Sequence, residues 1–144
     1  MSRPVLCAID VSHKGQDADV LRVAKKLADL DGATLDVMTV VPDFGESIVG
    51  SFFEQDHHER AVAEARQLLS DEVTAAIGAD VDAMVRHVVA TGKAYEEILH
   101  VARETDCGLI VIGAHKPDFK DYLLGPNAAR VVRHSNCSVH VVRP

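Results

Sequence analysis

The chain has 144 residues and a formal charge of -7, from 22 acidic against 15 basic side chains. One domain is the natural size at this length, spanning residues 1–144, and it can bury a core without disulfide staples. The acidic balance argues against a nucleic-acid binder or an anionic-membrane binder, since both need a basic face. Cys7, Cys107 and Cys137 are an odd set beside apolar runs, so they read as buried thiols in a reducing compartment. No apolar stretch approaches the ~20 residues of a membrane span. MSRP leads straight into a strand-like run with no signal-peptide pattern, so a cytoplasmic location is expected.

In chain order, residues 4–9 (PVLCAI) are a short apolar run ending at Asp10. Residues 17–31 have helical spacing, with Val20, Ala24, Leu27 and Ala28 on one face, and Gly32 is placed to end that helix. Residues 34–41 (TLDVMTVV) are rich in β-branched side chains and read as a second strand stopped by Pro42. Residues 43–53, with Phe44, Phe52 and Phe53, have no clear period and read as a loop, with a partly helical segment as the alternative. Residues 55–77 read as a long helix, its apolar recurrence carried by Ala61, Ala65, Leu68, Leu69, Val73, Ala76 and Ile77, with Gly78 as its stop. A third strand is expected over 81–89 (VDAMVRHVV). The helix in ATGKAYEEILHVARETD buries Ala94, Tyr95, Ile98, Leu99 and Ala102. Residues 108–112 (GLIVI) form a fourth strand. Pro126 suits the first position of a helix carrying Ala128, Val131 and Val132, and residues 137–142 (CSVHVV) form a fifth strand.

Strands alternating with helices imply parallel pairing through right-handed crossovers. Five strands and four helices make an open three-layer α/β sandwich, and apolar strand runs suit a sheet buried on both faces. In such sheets a ligand sits beyond the strand C-termini, where strand order reverses. Asp10, the stretch Val40 to Pro42, and Gly113 all fall at strand C-termini.

The chain resembles the universal stress proteins of the small, single-domain, nucleotide-binding type. The resemblance covers nearly the whole length. It is carried by Asp10 with a serine following, by TVVP, by ATGKAYEEIL, and most strongly by IVIGAHKP and LLGPNAARVVRHSNCSVHVVR. It implies an adenine nucleotide alpha hydrolase-like fold with strand order 3-2-1-4-5, placing Asp10 and Gly113 across one crevice. Members that bind ATP carry Gly-x2-Gly-x9-Gly followed by Ser or Thr. Here Gly113 fits the first glycine, Lys116 stands where the second belongs, and Gly125 fits the last after a loop one residue shorter. Pro126 replaces the Ser or Thr and brings neither amide hydrogen nor hydroxyl. Asn127 follows with a side-chain amide, and Lys116 brings a positive charge. A G-x-H-basic and G-x-Asn variant resembles a subgroup still regarded as nucleotide-binding.

The resemblance therefore implies a site for ATP or AMP, with Mg2+ beside Asp10. It would be built from Ala8, Ile9, Asp10, Val40, Gly92, Ile112, Gly113, His115, Lys116, Gly125, Pro126, Asn127 and Ala128. Plainer roles stand beside these. Gly113 and Gly92 are also turn glycines, Gly125 also starts a helix, Lys116 is also a surface lysine, Asp10 also a helix cap and Val40 also a core valine. The eight histidines are scattered without zinc-site spacing. Neither a P-loop, a dinucleotide glycine run, nor a serine-nucleophile elbow occurs, so no catalytic residue is assigned. The expected function is an adenine-nucleotide-binding stress-response or signalling module with little or no turnover. A nucleotide-free protein-interaction module and a slow ATPase are the alternatives. The resemblance also implies a homodimer through the C-terminal strand 137–142, serving a protein client that the sequence does not identify.

Overall fold

The computed structural model describes residues 2–43, 51–114 and 125–143. Its elements are β1 (Val5–Ala8), α1 (Ala18–Asp31), β2 (Leu35–Val41), α2 (Ser51–Ile77), α3 (Ala79–Asp82), β3 (Arg86–Thr91), α4 (Ala94–Thr105), β4 (Leu109–Gly113), α5 (Gly125–His134) and β5 (Ser138–Val142). The five strands form one open parallel sheet in the order β3-β2-β1-β4-β5. That is the expected 3-2-1-4-5 arrangement, with the order reversing at β1.

Side chains alternate across a strand, and the two faces of this sheet feed two cores. Val5, Cys7 and Ile9 of the first strand region pack with Val37 and Val111 against Val20, Leu21, Ala24 and Ala28 of α1 and Leu69 and Val73 of α2. Leu6 and Ala8 face the other way and join Met38, Val40, Ile110 and Ile112 under α4 and α5. Ile98 of α4 and Val131 of α5 are fully enclosed there. Burying one such aliphatic side chain stabilises by roughly 1.5–3 kcal/mol, so both helix layers are needed to keep the sheet dry.

Three expectations need correction. The third strand does not begin at residue 81. Gly78 leaves α2 with φ +100, and Asp82 and Val85 donate amide bonds to Gly78 and Val81 in helical fashion. Val81 and Val85 point inward four residues apart while Met84 is 87% exposed. A four-residue period is helical and an alternating one is not; hence the extra turn α3, making five helices among the described residues, and a strand starting at Arg86. The Ser70 hydroxyl donates to Asp82 Oδ2 at 2.6 Å, and His87 Nε2 lies 2.5 Å from Asp82 Oδ1, fastening α3 to α2 and β3. Next, α2 begins at Ser51 rather than 55, taking Phe52 and Phe53 into the helix, whereas Phe44 lies outside the described residues. Its inward stripe also differs: Leu68 is exposed and Glu72 is buried. Finally, Tyr95 is only half-buried, its ring under the Arg130 guanidinium at 5.0 Å.

Candidate functional site

Helices in this sandwich run antiparallel to the strands, so the starts of α1, α4 and α5 lie at the strand C-terminal end. That end therefore gathers unpaired amides and the positive ends of helix dipoles. It also holds the exits of β1 and β4, which are neighbours through the register Ala8↔Ile112.

Asp10 stands just past β1 and is 2% exposed. Its Oδ1 accepts hydrogen bonds from the Ser12 amide at 2.9 Å and the Ser12 hydroxyl at 2.6 Å, folding the chain into a tight turn. Its Oδ2 is buried without a hydrogen-bond partner. The helix-cap role open to Asp10 is not the one it plays: α1 starts at Ala18, with Asp17 in the cap position. Asp17 makes no side-chain cap bond there; its Oδ2 instead accepts the Asp10 amide at 2.7 Å. Glu72 reaches across from α2, and both its oxygens accept the Gly15 amide at 3.1 Å. Asp17 and Glu72 thus pin the β1–α1 connection from both ends.

Sequence reasoning passed over Asp17 and Glu72. Nothing local distinguishes Asp17 from other acids at a helix start. Glu72 had a readable signal, since it interrupts the apolar stripe between Leu69 and Ala76. Thr39, buried on β2 with an unpartnered hydroxyl, was also missed.

Ala8, Val40, Ile112 and Ala128 come together in the core under α4 and α5, and Ile9 lies in the opposite core. Val40 packs in that core, a placement shared by a core valine and by one lying under a ligand. Gly113 is the last residue of β4, paired with Val142 of β5, rather than lying past the strand. Gly92 follows β3 with φ +140, and its amide donates to Val41 at 3.0 Å, bringing the β3 exit beside the end of β2. Glycine is required there by the φ of +140, while a Cβ would approach only the flexible Glu97 side chain, its Oε1 at 3.0 Å. Gly125 begins α5, with Pro126 exposed and Asn127 and Ala128 buried in its first turn. His115 and Lys116 lie outside the described residues.

The described residues contain no group of three or more His, Cys, Asp or Glu side chains placed to hold a metal. Asp10 would therefore contribute at most one carboxylate oxygen to an ion held mainly by a ligand and water, which is how Mg2+ is commonly bound. The orphaned Oδ2 fits that use. His58 Nε2 is 3.2 Å from the Thr91 hydroxyl, tying α2 to the end of β3. Among the thiols, Cys7 is fully buried, and burial followed by the nearby Asp17 charge pushes its pKa well up. No helix among the described residues is long and apolar enough to cross a membrane.

Comparison with known proteins agrees with this architecture. The Universal stress protein family pattern matches residues 1–143. The chain is 27% identical to Universal stress protein G of Shigella flexneri over 99% of its own length and 100% of that protein. Its fold superposes on the solved structure of the Methanocaldococcus jannaschii protein MJ0577 with a TM-score of 0.78, at 22% identity, covering 100% of this chain and 97% of the other. It is similar also to the universal stress protein from Archaeoglobus fulgidus solved in complex with dAMP, with a TM-score of 0.59, 23% identity and 96% of each chain covered. With sheet order, crevice and sequence pattern in agreement along almost its whole length, the chain belongs to the universal stress protein family.

Proposed function

We propose that this protein binds an adenine nucleotide, ATP or AMP, at the crevice where β1 and β4 end, and acts as a stress-response or signalling module with little turnover. The observation that carries the reading is Asp10: a buried carboxylate with an unpartnered oxygen, at the exit of the strand where sheet order reverses. A ribose hydroxyl or a nucleotide-bound Mg2+ would satisfy that oxygen. The start of α5 brings the positive end of its helix dipole to the same end of the sheet, although Pro126 contributes no amide hydrogen. The dAMP complex of the Archaeoglobus fulgidus relative supports the choice of an adenine nucleotide.

Equilibrium titration with ATP and with AMP, with and without magnesium, tests this directly. Saturable binding in the micromolar range is expected, on the order of -8 kcal/mol. Absence of binding to either nucleotide at millimolar concentration would overturn the reading. Single-turnover phosphate release should be negligible over the lifetime of the complex; multiple turnovers at trace protein would make the chain an enzyme instead. The proposed assembly is a homodimer through the free edge of β5, with a sedimenting mass near twice 15.6 kDa. A mass of one copy at tens of micromolar would refute the pairing.

A further inference from the structure

The opposite end of the sheet carries chemistry that nucleotide binding does not use. Cys107 precedes β4 and Cys137 precedes β5, and their Sγ atoms are 3.8 Å apart. Cys107 is buried, whereas Cys137 is half-exposed rather than enclosed as expected for all three thiols. Both line a surface cleft of about 200 Å³, shared with Arg3, Arg103, Ser135 and Asn136. Ser135 holds the approach to Cys137, its hydroxyl donating to the Cys137 carbonyl at 2.9 Å and accepting the Cys137 amide at 3.1 Å.

The backbone places the two thiols suitably for joining. β4 and β5 pair in register at Leu109↔Ser138, so the cysteines are offset by one residue on adjacent strands. Both cysteines lie just before the paired strands, and their Sγ contact at 3.8 Å brings the two sulfurs near each other, with a disulfide closing at about 2.05 Å. Arg3 and Arg103 are among the lining residues, against one acidic lining residue, Asp106, whose Oδ2 lies 3.7 Å from Arg3 Nε. That surplus favours an anion over a metal cation, in a chain whose overall charge is -7.

We propose that Cys137 and Cys107 form a thiol–disulfide exchange site whose co-reactant is a small anionic disulfide of the glutathione type. Cys137, the accessible thiol, loses its proton to solvent, and its sulfur attacks one sulfur of the co-reactant. The co-reactant's S–S bond breaks, one thiolate departs and takes up a proton, and a mixed disulfide remains on Cys137. Cys107 is the resolving group. Burial, with the neighbouring Cys137 contributing less, pushes its pKa up to about 12, which holds it as the thiol and leaves the first attack to Cys137. Its sulfur then attacks Cys137 Sγ, its proton passes to the second departing thiolate, and the Cys107–Cys137 bond closes. Two protein thiols are oxidised and one small disulfide is reduced to two thiols. Cys7 stands apart, buried against the Val20 carbonyl, and takes no part.

The test is to treat the fully reduced chain with oxidised glutathione and follow free thiols and intact mass. Free thiols should fall from the three present to Cys7 alone, with a mass loss of two hydrogens, and a peptide map of the wild-type chain should show Cys107 joined to Cys137. Cys107→Ser should stop at a mixed disulfide bearing one glutathionyl group, and Cys137→Ser should take up none. Arg103→Ala should slow the reaction with oxidised glutathione several-fold and leave the reaction with neutral bis(2-hydroxyethyl) disulfide unchanged. Persistence of all three thiols in the wild-type chain would overturn the proposal whatever the variants do. Slowing of both disulfides alike by Arg103→Ala would overturn the anionic co-reactant.

Discussion

Replacing Asp17 by alanine removes the carboxylate that holds the exit of β1 and that also acts on the buried Cys7 thiol. The substitution deletes the oxygen that accepts the Asp10 amide at 2.7 Å, between residues that are 1% and 2% exposed. Water cannot readily take the place of that acceptor without opening the β1–α1 connection, so the amide is left unsatisfied. Losing a buried hydrogen bond to a charged acceptor costs about 2 kcal/mol, within a range of roughly 1.5–3. The entropy of unfolding for 144 residues is about 0.3 kcal/mol per degree, so the midpoint should fall by about 7 °C. Asp17→Asn retains an acceptor oxygen while losing the charge, and should cost less than about 1 kcal/mol. Thermal unfolding of the three proteins followed by circular dichroism, with urea unfolding as a check on the free energies, measures both differences. An alanine variant within about 2 °C of the parent, or an asparagine variant as unstable as the alanine one, would refute the reasoning.

Gly92→Ala places a Cβ 3.0 Å from Glu97 Oε1 at a backbone φ of +140, and should destabilise by about 1–3 kcal/mol in urea unfolding. Gly15→Ala, at φ +78 and with no atom within 4 Å of its Cβ, should cost less, about 1 kcal/mol, because φ +78 lies nearer the left-handed region than φ +140; equal losses would contradict the added backbone strain at Gly92. Asp36 supplies a pH dependence. Burial raises its carboxyl pKa above the usual range, and the Arg86 guanidinium at 3.8 Å opposes this only in part. The native state therefore binds this proton more tightly than the unfolded chain. Ionised Asp36 subtracts stability above its folded pKa, and that loss is recovered as pH falls to the unfolded value of about 3.9. Asp36→Asn should thus be more stable than the parent at pH 7, with the gap narrowing toward pH 4; a gap independent of pH would contradict the assignment.

Strand and helix existence was legible in the amino-acid order because it follows from local periodicity, whereas the expectation of where a ligand would sit came from sheet topology and the family resemblance. The continuous apolar runs at PVLCAI, TLDVMTVV and GLIVI require a sheet covered on both faces, and the intervening three-and-four spacing supplies the covering helices. The resemblance to the family then placed β1 at the point of reversal, and the sheet has that order. The start of β3 was different, because VDAMV is apolar enough for a strand and only its packing reveals a helical turn, with Met84 outside and Val81 and Val85 inward. Likewise, nothing local told Asp17 from any acid at a helix start, or brought Glu72 to Gly15 across 57 residues. Nor did the separation of 30 residues between Cys107 and Cys137 announce a pair of thiols in contact. Periodicity determines which side of an element is buried. Which polar groups meet once it is buried depends on how elements distant in sequence pack together, and for this protein only the tertiary structure decided that.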